Sequence, residues 1–275
     1  MMFNTRARHS ARVGLVIGLG LLIGSPFYWL VITALKTPQE AIRFPPTWIP
    51  TQIRWENIPD ALRLLGGITF VNSLIFTIMV TLLQLVLVIC AGFAFAKMRV
   101  PGKNVIFGLM MATIFVPFHV ALIPTFLVTR QFDWIDSWPG LVVPIVAHTA
   151  FGTYLFRQFF QSLPNELIEA AHIDGASWGQ IFRLIAVPLA GPPAAAYVSI
   201  TTLNAWNMFV WPLIVTYDKD MRVLPLALAA ASGDYNIVTA NVKMMAVLIT
   251  TLPTFVVFIV TQKYFIVGLG GAIKE

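Results

Sequence analysis

Apolar residues run along this chain in long blocks, not at the alternating spacing of a strand or the three-to-four spacing of a water-facing helix. Six blocks reach the length of about 20 residues that a helix needs to cross a bilayer. They lie at about 13–35, 68–96, 105–128, 140–160, 189–215 and 244–267. A helix that is apolar on every side has no face to offer water, so each block reads as a span surrounded by lipid or protein. The expected fold class is all-α: one polytopic transmembrane domain over 1–275 with six transmembrane helices.

Composition agrees. Of 275 residues, 58% are apolar or aromatic and 11% are charged, against about 45–50% and about 25% in soluble domains. A soluble globule this apolar could not cover itself with polar surface, and a disordered chain needs the opposite balance. The one cysteine, Cys90, lies in the second block. It excludes a disulfide framework and a thiolate metal cage, and reads as plain packing. The first block follows Arg6, Arg8 and Arg12. It exceeds the roughly 7–15 apolar residues of a cleavable signal peptide, so a retained signal anchor is expected.

A net charge of +6 could point to nucleic acid, but the placement of Lys and Arg fits membrane orientation better. With the N-terminus inside, ten basic residues fall on the inner side and eight outside. The short segments decide. Lys97, Arg99 and Lys103 crowd between the second and third blocks, whereas the loop after the third block holds only Arg130. Both termini are therefore expected in the cytoplasm. The segment 44–60 carries Pro45, Pro46, Trp48, Pro50, Trp55 and Pro59. It is expected to be an irregular external connector at the headgroup level, where Trp concentrates.

The fourth and fifth blocks are joined by 162–188, which is punctuated for two short helices. Pro164 suits a first helical turn, and Glu166 suits the positive end of a helix dipole. Leu163, Leu167 and Ala171 repeat at i, i+4 and i+8, an apolar stripe. Gly175 can stop the helix in a left-handed conformation. Ser177 and Gln180 have the spacing of a capping box, and Pro188 marks the start of the next span. Glu169-Ala170-Ala171 makes a small surface on which alanines admit another backbone and the glutamate offers an ionic contact. On these residues alone, a solvated hairpin and a docking element stand level.

The order Glu169-Ala170-Ala171, three residues, Gly175, nine residues, Ile185, one residue, Val187-Pro188 resembles the EAA loop of ABC importer permeases, with Val187 where that loop usually has Leu. Two further runs, Asn204–Leu213 and Gln262–Leu269, are similar to stretches of carbohydrate-type permeases, closest to the second permease of maltose-like and glycerol-3-phosphate-like systems. The tail from Gly270 to Glu275 departs from them. The resemblance implies a subunit of a binding-protein-dependent importer in a bacterial or archaeal cytoplasmic membrane. Its implied partners are a second, homologous permease, two cytoplasmic ABC ATPase subunits and an extracytoplasmic solute-binding protein that delivers a sugar or sugar-derived solute. ATP and Mg would be bound by the ATPases, leaving this chain with no cofactor, no metal and no catalysis. By the same resemblance Glu169, Ala170, Ala171 and Gly175 couple ATPase closure to the spans, Gly175 setting the angle between the two short helices. Lys274 and Glu275 would touch the ATPase pair.

The residues themselves contain no GxxxxGK[ST] nucleotide loop. His9, His119, His148 and His172 have no metal-ligand spacing. For a substrate path the candidates are Asn204, Asn207 and Trp211, at i, i+3 and i+7 on one helical face. Amides would bond sugar hydroxyls, and the indole would stack on a sugar's CH face. Bonds to neighbouring helices are the favoured reading of the asparagines, and Asn72 and Gln84 have the same two readings. His119 and His148, inside spans, are candidates for lining the path or for packing. A secondary transporter and a six-span intramembrane enzyme are the rival classes. The first would need acidic residues within spans for ion coupling, and no block holds one. The second would need a serine in a Gly-rich turn plus a histidine in a later span; the GxSxG of Gly175–Gly179 lies in the loop 162–188, outside the blocks, and no histidine follows it.

Overall fold

The computed structural model describes residues 3–233 and 239–270, and among them helices carry the fold with no strand. In chain order they are α1 (Phe3–Leu35), α2 (Pro38–Ala41), α3 (Asn57–Leu65), α4 (Gly67–Lys97), α5 (Lys103–Ala112), α6 (Phe118–Gln131), α7 (Trp138–Val146) and α8 (Ala150–Ser162). There follow α9 (Asn165–Ile173), α10 (Trp178–Ile181), α11 (Val187–Leu189), α12 (Gly191–Trp206), α13 (Val210–Val215), α14 (Leu224–Gly233) and α15 (Ala240–Gly270). Lys274 and Glu275 lie outside the described residues, as does Asp234.

All six apolar blocks are helical, but only three are unbroken spans: Arg12–Leu35, Gly67–Lys97 and Ala240–Val260. The other three are bent. Lys103–Phe115 meets Phe118–Gln131 at 107°, α7 meets α8 at 45°, and Trp178–Leu189 meets Gly191–Trp206 at 72°. The third block breaks before Pro117, whose ring forces Val116 into extended backbone at φ −84°, ψ 111°. The fifth block starts afresh at Gly191, with Pro192 and Pro193 in the first turn, where their missing N–H groups are not needed. It stops at Trp206, and α13 begins only at Val210.

The helices form two compact units. One joins the chain up to Gly67 with Ala227–Leu252; the other takes Ile68–Leu226 and the chain from Pro253. In the first unit Asn57 is fully buried. It donates to the carbonyls of Ala34 at 2.8 Å and Lys36 at 2.9 Å, and accepts from Asn241 at 2.8 Å. These bonds answer carbonyls that the end of α1 leaves unpaired. The adjoining loop is turned inside out. Lys36 is 1% exposed, donates to the Thr47 carbonyl at 2.6 Å and lies 4.6 Å over the Trp29 ring. Glu40, also buried, accepts from the Thr47 hydroxyl at 2.7 Å and the Thr51 amide at 2.9 Å. Meanwhile Phe44, Trp48 and Ile49 face outward. The segment 44–60 is therefore not irregular to its end. Helix α3 starts within it, and Pro59 is tolerated in its first turn.

In the second unit α4 reverses the polarity of a water-soluble helix. Thr69, Asn72, Ser73, Thr81 and Gln84 point inward with Phe76, Val80 and Val88, while Leu74, Ile78, Leu82 and Val86 face out. Lipid is as apolar as leucine, so polar groups and close fit gain most from protein contact. A Cβ on Gly92 would fall 2.5 Å from the Phe156 Cβ and 2.9 Å from the Arg157 amide. Helices α4 and α8 thus cross with backbones nearly touching. One core gathers Phe76, Val80, Leu141, Ile145, Trp211 and Val215. A second gathers Val88, Phe93, Phe156, Phe160, Ile181 and Tyr197.

Candidate functional site

Two places in the second unit combine exposure with defined geometry. The first is the turn between α9 and α10. The Gly175 amide donates to the His172 carbonyl at 3.0 Å, and the Ala176 amide to the Ala171 carbonyl at 2.9 Å. With Gly175 at φ +79°, this is the Schellman closure of a helix. A Cβ on Gly175 would meet nothing within 4 Å, so glycine is required by backbone conformation and not by crowding. Across the turn, the Gln180 amide donates to the Ser177 hydroxyl at 3.4 Å and the Ser177 amide to the Gln180 side chain at 2.8 Å. This is the expected capping box. A π turn over Phe182–Ala186 then joins α10 to α11.

The face of this helix–turn–helix toward the protein carries Ile168, Ile181 and Ala186, with Ala171 and Ala176 packed beside them. The expected stripe of Leu163, Leu167 and Ala171 is corrected: Leu167 is 44% exposed. Leu163 sits outside α9 in extended backbone at ψ 133°, so helical spacing does not start from it. On the outward face Glu169 and Ala170 are exposed, beside Ile173 at 87% and, on the second arm, Leu184 at 68%. His172 is exposed and meets Trp178 edge-on at 4.6 Å. Lys97, at the end of α4, donates to the Leu163 carbonyl and the Asn165 side chain, both at 2.8 Å. The exposed surface is therefore held firmly against the second core.

The second place is a cavity of about 400 Å³. Its polar lining is Gln84, His148, Tyr197, Thr201 and Asn204; Phe118, Phe151 and Met208 are among its apolar walls. It adjoins the break between α7 and α8. Gln84 donates to the carbonyl of Ile145 at 2.7 Å and to that of His148 at 3.4 Å, answering backbone that the break opens. The Tyr197 hydroxyl donates to Gln84 at 3.3 Å. His148 Nδ1 lies 2.8 Å from the Pro144 carbonyl. A carbonyl only accepts, so Nδ1 carries the hydrogen. Asn204 is exposed to the cavity and makes no side-chain hydrogen bond among the described residues. A polar cavity beside interrupted helices is the arrangement membrane transporters use to pass solutes.

The structure divides the remaining candidates. Asn207 caps the end of α12, is exposed, and donates to the Leu203 carbonyl one turn back at 2.8 Å. It does not line the cavity. Trp211 is fully buried and donates to the carbonyls of Gly140 at 3.1 Å and Leu141 at 3.2 Å. It is a packing residue with no face for a solute. The break at Asn207–Phe209 separates it from α12, so the i, i+7 spacing does not hold. Asn72 is buried and bonds the carbonyls of Asp220 and Arg222 at 2.7 and 3.0 Å, tethering the segment that follows α13. His119 is exposed beside Phe118. Cys90, expected in packing, is exposed beside Phe93, Met98 and Trp178. Sequence reasoning missed Tyr197 and Thr201. Their spacing of i, i+4 and i+7 with Asn204, on one helical face, was the legible sign.

Broken spans around a polar cavity, joined to an exposed helix–turn–helix, define a membrane permease. Residues 88–268 match the family described as "Binding-protein-dependent transport system inner membrane component". The chain belongs to that family, as a transmembrane permease subunit of an ABC importer. It is 34% identical over 268 residues to the sn-glycerol-3-phosphate transport system permease protein UgpE of Pectobacterium atrosepticum, covering 94% of each chain. The protein of the same name from Yersinia pestis bv. Antiqua is 33% identical over 263 residues, covering 93% of each. The fold matches that in the crystal structure of a bacterial ABC transporter involved in the import of the acidic polysaccharide alginate. The TM-score is 0.84 at 21% identity, over 94% of this chain and 97% of that one. The secondary-transporter and intramembrane-enzyme classes are thereby set aside.

Proposed function

We propose that this chain forms the solute path of an importer together with a second, homologous permease, without catalysing a reaction itself. Two ATPase subunits bind ATP and Mg in the cytoplasm, where both termini of this chain also lie. An external solute-binding protein delivers a sugar or sugar-derived solute, the class to which the cargo named for the UgpE relatives belongs. Glu169, Ala170, Ala171 and Gly175 form the surface that an ATPase grips. The observation that carries this reading is the exposed patch of Glu169, Ala170 and Ile173 on a turn capped from both sides and backed by a core. Movement of that patch must move α4 and α8 with it, because a packed core transmits displacement rather than absorbing it. The path passes Asn204, with Asn207 flanking it at the end of α12.

The test is reconstitution. The tagged chain, purified from its own membranes, is expected to bring with it an ATPase and a second permease. In proteoliposomes the assembly should import solute only with internal-side ATP and the binding protein. Import driven by an ion gradient without ATP would overturn the reading.

A further inference from the structure

We infer that the cavity beside His148 reads an uncharged polyhydroxyl solute, and that His148 and Asn204 distinguish it from a phosphate ester. The inference rests on the permease reading above and adds the charge class of the solute.

No Lys, Arg, Asp or Glu takes part in the lining of the cavity. A phosphate monoester carries about −1.5 to −2 charge near pH 7. Taking such an anion out of water requires a cation or several free donors. Apart from Asn204, most of the donors here are already committed. Both polar hydrogens of the Gln84 amide go to backbone carbonyls, the Tyr197 hydroxyl goes to Gln84, and His148 Nδ1 goes to Pro144. The ring nitrogen left over is Nε2, which in the neutral imidazole is an acceptor. An acceptor lone pair takes a hydrogen bond from a sugar hydroxyl and repels a phosphate oxygen.

Asn204 supplies the complement, an amide with both a donor end and an acceptor end and no partner among the described residues. Each hydroxyl of a sugar both donates and accepts, so the pair matches adjacent hydroxyls. Phe118, Phe151 and Met208 add apolar surface suited to the CH faces of a sugar ring. The volume of about 400 Å³ lies within the usual range of small-molecule sites. The relatives named for sn-glycerol-3-phosphate carry an anion, so on this inference their solute is not the solute of this chain.

The experiment uses the complete transporter with its own binding protein in proteoliposomes. The probes are radiolabelled glycerol-3-phosphate and a panel of neutral mono- and disaccharides. A neutral sugar should be imported and glycerol-3-phosphate should not. Asn204→Leu and His148→Phe should each raise the KM of sugar uptake about tenfold, the loss expected for a removed hydrogen bond, with ATPase subunits still co-purifying. If His148→Phe disturbs the break between α7 and α8 and assembly is lost, Asn204→Leu carries the test, since no part of the fold hangs on its amide. Import of glycerol-3-phosphate, or a sugar KM unchanged in assembled variants, overturns the inference and leaves the permease reading standing. ATP-independent movement of every probe would bring down both.

Discussion

The amide of Ala176 reaches back past Gly175 to the carbonyl of Ala171, 2.9 Å away. That bond exists only while Gly175 holds a left-handed backbone, at φ +79°. A residue with a Cβ loses about 1–2 kcal/mol there, and a β-branched one is strained further. Gly175→Val is therefore expected to insert normally, because the site is open and outside the unbroken spans. It should lose ATPase co-purification and lower ATP-dependent uptake at least tenfold. Normal uptake at normal membrane levels would make the turn a passive connector.

Glu169→Ala should be milder, since an exposed ion pair is worth about 0–1 kcal/mol. Ala170→Trp should be worse, because a large side chain on an exposed small surface holds the partner off. Comparing ATPase retention in membranes from the two variants checks the order. The reverse order would mean that charge, not close approach, carries the contact.

Trp211 is expected to matter for stability and not for affinity. Trp211→Ala removes a fully buried ring and should cost about 3–5 kcal/mol. Trp211→Phe should cost less, leaving the carbonyls of Gly140 and Leu141 without their donor. Thermal melting of the purified complex reads the loss. A raised KM of uptake with unchanged melting would show that the indole touches solute after all.

Access to a membrane-impermeant thiol reagent separates Asn204 from Trp211. Cys90 is exposed, so the background must be Cys90→Ala. Asn204→Cys should label in at least one nucleotide state and be protected by solute. Trp211→Cys should stay unlabelled in all states. Protection of Asn204→Cys throughout would exclude it from the path.

Glu40 gives a pH dependence with a definite sign. Burial disfavours its charge, but the hydroxyl of Thr47, the amide and hydroxyl of Thr51 and the charge of Lys36 together outweigh that and hold its carboxyl below the ordinary value of 4.5. A carboxylate depressed on folding stabilises the fold above its unfolded value, and the benefit is lost as pH falls through the folded one. Wild type should thus melt higher than Glu40→Gln at pH 7, and the gap should close as pH drops below about 4.5. A gap that persists at pH 3 would assign the effect to packing.

What could be read in the chain beforehand follows from how local each cause is. The blocks were visible because apolarity over about 20 residues needs no tertiary context. The cap of Ser177 and Gln180 and the stop at Gly175 were visible because both are short-range bonds. The breaks were less so. Pro117 announced one, but the end of α12 at Trp206 has no proline or glycine to mark it. That hidden break misplaced Trp211 by treating two helices as one. Gln84 and His148 remained ambiguous for a different reason. The role of Gln84 depends on the carbonyls of Ile145 and His148 and on Tyr197, which lies 113 residues away, and that of His148 on the break that Gln84 closes.

The bent spans also bear on how the chain enters a membrane. Each break strands amides and carbonyls that a continuous helix pairs internally, and hydrocarbon offers nothing in exchange. Arg12–Leu35, Gly67–Lys97 and Ala240–Val260 can therefore leave the translocon one by one, each complete in itself. The blocks between Lys103 and Trp206 have to wait for one another, or for the partner that seals them. Chains halted after Lys97 are accordingly expected to resist alkaline extraction, while chains halted after Ser162 are extracted or degraded. On that expectation biogenesis of this subunit is timed by its three interrupted helices, and the breaks that border the cavity would set the order in which the protein can be built.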